Sequence, residues 1–307
     1  MNRRRFLSGL GSLAGSFGML RMLGAGSVAA FLGCRPHFGG LTVGSKNFTE
    51  QLVLGELLAQ YLEQQLRVAV DRRFYLAGTY ICHQALLAGR IDTYVEYTGT
   101  ALAAVLKEKT FADHGEVFEL VKREYARRFG LEVMPPLGFD NSFAMVMRGD
   151  EAREKHLTKL SQMAPFAPQM RMGVGYEFLE RPDGYKGLVA RYNLKFAEAP
   201  RVMDLGLLYR ALESRQVDIV AGANTDGLIA ALGLVVLEDD LHYFPPYDAV
   251  PIVRRAALEK YAGLRPGFDR LSGRITAQDM RRMNYAVDGE KKDAAVVVRE
   301  FLRQSGI

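Results

Sequence analysis

Three short segments of this sequence carry residue types that could bind a small molecule. They are Gly44–Gln51, Ile91–Thr100 and Pro245–Pro251, and each lies at a predicted strand end or crossing. The first two join a strand to a helix, which is where ligands bind in open α/β sheets. The prolines of the third fix its backbone, and we expect them to present Tyr247 outward. Each segment alone also fits an ordinary capped turn or a core aromatic, so the inference rests on the three together.

The sequence lacks the motifs of the common cofactor and metal chemistries. It has no phosphate-binding Walker loop, no GxGxxG after a strand and no GxSxG elbow. Its five histidines are scattered without a metal-binding spacing. The acidic run Glu238–Asp240 is more typical of a solvated loop than of a cation site. We therefore predict no cofactor, no metal and no enzymatic activity, with an enzyme on the same fold as an alternative.

The composition is that of a globular protein with a distinct leader. The 307 residues are 49% hydrophobic and 24% charged, which excludes disorder, collagen and coiled coil and predicts one large domain or two of ordinary size. The formal charge of +5 is concentrated in residues 1–33, which hold four arginines and no acid. Residues 34–307 hold 36 basic and 35 acidic side chains, so we predict no binding to nucleic acid.

Residues 1–33 are predicted to be an export signal. Arg3–Leu7 resembles the twin-arginine pattern, and two apolar stretches follow it, separated by Arg21. Phe31–Cys34 resembles a lipobox, in which the cysteine becomes the lipidated N-terminus. We expect a protein of the periplasm or cell envelope that is anchored to the membrane through Cys34. An uncleaved N-terminal anchor and a cytoplasmic protein with an apolar N-terminus are the alternatives.

The body of the chain alternates short apolar runs with amphipathic segments from Leu41 onward, which indicates βαβ units. Thr49–Gln64 has a helical apolar period, and Ile91–Tyr97 is predicted to be a strand. Pairs of prolines at 135–136 and 245–246 interrupt this alternation, and an apolar run follows each pair. The remaining C-terminal chain is predicted to be helical at 256–261, 277–285 and 292–304.

A series of segments, found in the same order through almost all of residues 41–307, resembles the substrate-binding proteins of osmoprotectant ABC transporters, the glycine betaine/carnitine/choline-binding family. The matching segments are Val43–Gln51, Glu96–Thr100, Leu137–Phe139, Arg181–Tyr185, Thr225–Gly227, Leu237–Asp240, Pro245–Tyr247 and Met283–Asp288. The resemblance implies an α/β, two-lobed periplasmic-binding-protein fold of type II, with two mostly parallel sheets and two crossover strands. We expect lobe 1 at 41–141, lobe 2 at 142–248 and a return to lobe 1 at 249–307. The implied partners are a membrane permease and its ATPase.

The resemblance also implies a cage for a quaternary ammonium group. Such a group has no N–H to donate, so it is recognised through the π-faces of aromatic rings. The family builds this cage from tyrosines, a glutamine and polar groups. Phe143 stands where a tyrosine is usual, so it keeps the π-face and loses the hydroxyl. The ligand-binding residues carried over are Lys46, Asn47, Gln51, Tyr97, Thr98, Thr100, Asn141, Phe143, Ala223, Asn224, Thr225, Asp226 and Tyr247.

Ala223 is the clearest departure from the family, which commonly has a tyrosine there. One wall of the cage is then missing, so that the ligand is larger than betaine or Asn224 supplies a hydrogen bond instead. Alternatively, Tyr176 or Tyr94 closes the cage. We predict capture of glycine betaine, choline, carnitine or a similar osmolyte for an ABC importer. Ergothioneine or an amino-acid derivative is the alternative ligand, and a ligand sensor for a membrane receptor is the alternative role.

Overall fold

A computed structural model describes residues 40–307 of the chain. The predicted leader, with Arg3, Arg4 and Cys34, lies outside the described residues. Among residues 40–307, no helix is long and apolar enough to cross a membrane.

Ten strands form two separate sheets within residues 40–307. In chain order they are β1 (Leu41–Gly44), β2 (Val70–Arg73), β3 (Thr93–Tyr97), β4 (Leu131–Val133), β5 (Phe143–Arg148), β6 (Met172–Val174), β7 (Arg201–Val202), β8 (Ile219–Ala223), β9 (Leu234–Leu237) and β10 (Ala249–Arg254). The first sheet has the order β2-β1-β3-β10-β4, and the second has the order β7-β6-β8-β5-β9. We refer to each sheet with its packed helices as the first lobe and the second lobe.

In each sheet four of the five strands run in the same direction and one strand, which follows a crossing, runs opposite to them, so the expected mostly parallel sheets are confirmed. In the first sheet β1 pairs in parallel with β2 and β3, whereas β10 runs antiparallel to β3 and β4. The second sheet repeats this pattern, because β5 runs antiparallel to β8 and β9 while β6 is parallel to β7 and β8. The cause is the same in both lobes: β5 and β10 each follow a crossing from the other lobe and enter the new sheet in the opposite direction.

Helices cover both sheets. In chain order they are α1 (Thr49–Leu66), α2 (Thr79–Leu87), α3 (Thr98–Thr100), α4 (His114–Phe129), α5 (Gly149–Glu154), α6 (Tyr176–Glu180), α7 (Tyr185–Tyr192), α8 (Leu208–Glu213), α9 (Leu228–Ala231), α10 (Arg255–Lys260), α11 (Leu264–Leu271), α12 (Ala277–Asp288) and α13 (Ala294–Ser305). A π-helical turn, Ala101–Leu106, continues α3, and short 3-10 turns lie at Leu160–Met163, Ala167–Gln169 and Leu205–Leu207. Within the first lobe, α1 is buried along most of its length, which fixes the side chains of its first turn.

The two crossing segments run next to each other between the lobes. Asp140 and Asp248, one on each segment, form an antiparallel bridge. The second lobe also packs closely on α12: a Cβ atom at Gly227 would lie only 2.5 Å from the backbone nitrogen of Tyr285. Glycine is therefore needed at this contact. The lobes are closed on each other, and the residues at the ends of β3, β5 and β8 are brought together.

Candidate ligand-binding site

The turn from β1 to α1 places the charged side chain of Lys46 inside the first lobe. Lys46 is buried, and its ammonium forms an ion pair with the buried carboxylate of Glu96. The same ammonium lies 4.9 Å from the centre of the Tyr97 ring. Gln51 accepts a 3.4 Å hydrogen bond from the backbone N–H of Lys46 and donates a 2.9 Å bond to the carbonyl of Val95. Gln51 therefore fastens the turn to β3.

The Glu50 carboxylate collects four hydrogen bonds at the centre of the molecule. Its Oε1 accepts from the Tyr97 hydroxyl at 2.7 Å and from Asn141 Nδ2 at 2.5 Å. Its Oε2 accepts from Thr225 Oγ1 at 2.5 Å and from Asn284 Nδ2 at 3.0 Å. We call these five residues the Glu50 junction. Burial raises the pKa of Glu50 because the charged form loses water, while the four hydrogen bonds oppose this rise.

Four aromatic rings form a cluster beside this junction, in the second lobe and the adjoining crossing. The Phe143 ring meets Tyr247 edge-on, with centroids 5.6 Å apart and an interplanar angle of 84°. Phe178 and Phe244 flank Phe143 at centroid distances of 4.9 and 5.5 Å. Tyr247 is 1% exposed, so its ring belongs to the interior rather than to the surface.

A buried ion pair lies against these rings. The Arg181 guanidinium donates from Nε to Asp183 Oδ1 at 2.9 Å and from Nη1 to Thr100 Oγ1 at 3.0 Å. The Tyr247 hydroxyl donates to Asp183 Oδ2 at 2.6 Å. We call these four residues the Arg181 junction. Burial alone lowers the pKa of Arg181, but the Asp183 carboxylate more than offsets this, so that the pKa is raised overall. The guanidinium carbon lies 5.0 Å from the centre of the Phe143 ring and 5.8 Å from that of Tyr247.

The end of β8 places Ala223 next to Phe143. The two residues are direct partners in the antiparallel pairing of β5 with β8, so their side chains lie on the same face of the sheet. The Asp226 carboxylate accepts from the backbone N–H of Ala223 at 3.0 Å and from the hydroxyl of Tyr209. Desolvation by burial raises the pKa of Asp226 to about 6. Asn224 Oδ1 is buried and has no hydrogen-bond partner among residues 40–307.

The structure brings most of the predicted site residues together, but it divides them between the two junctions and contacts with the backbone. Tyr97, Asn141 and Thr225 belong to the Glu50 junction, and Thr100 and Tyr247 belong to the Arg181 junction. Two other predicted residues instead bond to the backbone of segments that lie next to them in space. Asn47 donates its backbone N–H to the carbonyl of Ala77 at 3.0 Å. Thr98 donates its hydroxyl to the carbonyl of Pro246 at 3.1 Å and accepts from the N–H of Asp248 at 3.0 Å.

Neither tyrosine suggested as a substitute wall takes that place. The Tyr94 ring is fully buried in the first lobe, where its hydroxyl donates to Glu96 at 3.1 Å. Tyr176 is 69% exposed. The rings around Phe143 are instead those of Phe178, Phe244 and Tyr247.

Six residues of this region were not among the predicted site residues: Glu50, Phe178, Arg181, Asp183, Phe244 and Asn284. Four of them lie inside the segments that carried the family resemblance, and Phe244 directly precedes another such segment; this position in the sequence could have indicated them. Elsewhere, His114, Asp140 and Asp248 bring ligand atoms within 4.8 Å of one another, with His114 Nδ1 at 2.9 Å from Asp248. These residues are far apart in the chain, so no metal-binding spacing reveals them.

The fold and the site define a two-lobed binding protein, whose lobes close over aromatic and charged side chains. Residues 39–304 match the family model described as the substrate binding domain of ABC-type glycine betaine transport systems, and the chain belongs to this family. The predicted type II periplasmic-binding-protein fold is thereby confirmed, and so is the role of substrate-binding protein in an osmolyte ABC importer. The family is one of extracytoplasmic transport proteins rather than enzymes.

Individual relatives support this assignment. The chain is 32% identical over 277 residues to the carnitine transport binding protein OpuCC of Listeria monocytogenes, covering 88% of this chain and 90% of the relative. It is 32% identical over 268 residues to the ergothioneine transport permease/ergothioneine binding protein EgtU of Helicobacter pylori, covering 87% of this chain and 48% of that protein. The crystal structure of a glycine betaine/carnitine/choline ABC transporter matches with a TM-score of 0.72 and 30% identity, covering 86% of this chain and 98% of that one.

Proposed function

We propose that this chain captures a zwitterion with a trimethylammonium group and delivers it to the permease and ATPase of an ABC importer. One observation carries the proposal: the rings of Tyr97, Phe143 and Tyr247 each already face a cation of the chain itself. Lys46 lies 4.9 Å from the first ring, and Arg181 lies 5.0 and 5.8 Å from the other two. Rings that hold cations by their π-faces suit a ligand cation that cannot donate a hydrogen bond.

The same two cations favour a ligand that carries a carboxylate. Arg181 is a planar fork that binds carboxylates through paired N–H groups. Within residues 40–307, three of its five N–H groups donate to Asp183 and Thr100. Lys46, which is paired with Glu96, adds a second cation against the Tyr97 ring. We therefore propose that Arg181 and Lys46 bind the acidic end of the ligand while the rings surround the ammonium. Choline, which has no carboxylate, should bind less tightly than glycine betaine or carnitine.

Ala223 and Asn224 favour a ligand larger than glycine betaine. The small Ala223 side chain lies beside Phe143 and leaves this side of the cage open. The unpartnered Asn224 Oδ1 can accept a hydrogen bond from a ligand hydroxyl or N–H. Carnitine carries such a donor and glycine betaine does not. Ergothioneine stays the alternative ligand, and the name of the Helicobacter relative supports its inclusion in a binding screen.

A thermal-shift screen followed by calorimetry tests this proposal. A ligand that binds the folded state alone raises the melting temperature. We expect a rise with carnitine, glycine betaine, proline betaine or ergothioneine, a smaller rise with choline, and recovery of the ligand unchanged. No shift with any trimethylammonium compound would contradict the proposed ligand class. Chemical turnover of a bound ligand would favour an enzyme instead.

We further propose that residues 1–33 direct export through the twin-arginine route and that Cys34 is lipidated. Replacing Arg3 and Arg4 together with lysine should leave the precursor in the cytoplasm, because the receptor recognises the guanidinium pair and not charge alone. Cys34→Ser should release the protein from membranes unless the leader stays on as an anchor. Export of the double lysine variant at the normal level would contradict this route. The lobe boundaries at 41–141, 142–248 and 249–307 also remain our proposal.

A further inference from the structure

The Glu50 junction differs from an ordinary buried ion pair. Glu50 is 3% exposed, and no ion pair involving it occurs among residues 40–307. Its four partners are the neutral side chains of Tyr97, Asn141, Thr225 and Asn284. A buried carboxylate without a cation is stable only when hydrogen-bond donors replace the water that it loses. All four donors therefore matter to the closed arrangement.

The donors come from both lobes. Tyr97 ends β3, Asn284 lies on α12, and Asn141 lies on a crossing segment. Thr225, in contrast, follows β8 in the second lobe. A backbone carbonyl reinforces this contact, because Asn284 Nδ2 also donates to the carbonyl of Thr225 at 3.0 Å. The shell around Glu50 is complete only when the second lobe has closed.

We propose that Glu50 is a positioning residue that couples the ligand cage to lobe closure. Through Tyr97 it sets the orientation of one cage ring, and through Thr225 it fastens the second lobe. The coupling to the ligand rests on the proposed function. The link between the lobes rests on the hydrogen bonds of Glu50 alone. Because the Thr225 bond forms in the closed state, its loss should speed ligand release and leave the association rate nearly unchanged.

Variants of Thr225 separate a hydrogen-bonding role from a packing role. Thr225→Val keeps the shape and removes the hydroxyl, whereas Thr225→Ser keeps the hydroxyl and removes a methyl group. Thr93→Val is the matched control, since Thr93 is equally buried and its hydroxyl has no partner among the described residues. The probes are carnitine and glycine betaine, and the readouts are the Kd by calorimetry and the association and dissociation rates by surface plasmon resonance.

We expect Thr225→Val to raise the Kd about tenfold, mainly through faster dissociation, since a hydrogen bond to a charged group is lost. Thr225→Ser and Thr93→Val should stay within about twofold of the unaltered protein. An unchanged Kd in Thr225→Val, an equal loss in Thr225→Ser, or a loss carried by the association rate would overturn the proposal.

A second readout separates failure of this proposal from failure of the proposed ligand. If the unaltered protein binds neither probe, the ligand class is wrong, and the junction is then tested without ligand by small-angle X-ray scattering. A larger radius of gyration in Thr225→Val than in the unaltered protein, with no change in Thr225→Ser, supports the fastening role. The same radius in all three proteins would overturn it.

Discussion

The Glu50 junction and the Arg181 junction fasten the same two lobes with opposite electrostatics. Arg181 lies in the second lobe, and Asp183 of the same lobe neutralises its charge. Its hydrogen bond to Thr100 then joins it to the first lobe. Glu50, in the first lobe, has only neutral donors, one of which arrives from the second lobe. An ion pair completed within one lobe is independent of closure. The Glu50 carboxylate, in contrast, receives its hydrogen-bond donors from both lobes. It is therefore fully solvated by the protein only in the closed state.

The largest expected effect comes from unpairing the Arg181 junction. Arg181→Met leaves the buried Asp183 carboxylate without its cation, and breaking a buried pair in this way costs about 3–5 kcal/mol of unfolding free energy. Urea denaturation measures the loss. The double variant Arg181→Met, Asp183→Asn removes both charges and should recover much of it. Equal stability of the single and double variants would contradict the claim that Arg181 neutralises the buried Asp183 carboxylate.

A second carboxylate with neutral donors, Asp226, tests the cost of such a site in the absence of a cation. Its pKa is raised to about 6, so above that pH the folded state holds a charge that it disfavours relative to the unfolded chain. Stability due to this group is therefore highest at low pH and falls as the pH rises from about 4 to about 6. Asp226→Asn should remove that fall and stabilise the fold by about 3 kcal/mol at pH 7 and by little at pH 4. Denaturation at both pH values measures the difference, and an equal effect at the two would contradict the assignment.

The cage rings should matter more to affinity than the hydroxyls that hold them. Tyr97→Ala and Tyr247→Ala should each weaken ligand binding by about 1–3 kcal/mol through loss of the π-face. The phenylalanine variants sharpen the comparison between junctions. Tyr97→Phe deprives Glu50 of one of four donors, whereas Tyr247→Phe leaves Asp183 its bonds to Arg181. We expect the smaller loss in Tyr247→Phe by calorimetry, and full affinity in both alanine variants would refute the cage.

The smallest and most selective effect is expected at Ala223. Ala223→Tyr adds a ring beside Phe143, so it should tighten glycine betaine binding by about tenfold or less and weaken binding of a bulkier ligand such as carnitine or ergothioneine. Titration of one variant with two ligands measures this change of preference. If every quaternary ammonium binds more weakly while the protein stays folded, Ala223 does not mark a missing wall.

Local patterns predicted most of the elements but none of the contacts within the two junctions, although the family resemblance named five of their nine residues. The apolar period beginning at Thr49 predicted α1 to within two residues of its observed end at Leu66. In contrast, α11 was missed, because Pro266 and Gly267 are typical of a turn; the proline is tolerated in the first turn of the helix, where no backbone donor is needed. The donors of Glu50 are 47, 91, 175 and 234 residues distant in the chain. Only the tertiary fold brings such residues together, so neither the apolar period nor the spacing of residues predicts these contacts.

The most direct test of recognition by the cage compares glycine betaine with an analogue of the same shape that lacks the cation. In 3,3-dimethylbutanoate a carbon replaces the ammonium nitrogen of glycine betaine, so size and carboxylate are kept and the cation is lost. If the rings of Tyr97, Phe143 and Tyr247 recognise the cation, calorimetry should show at least about tenfold tighter binding of glycine betaine than of this analogue, which has no cation. Equal affinity for the two compounds would contradict recognition of a quaternary ammonium by an aromatic cage.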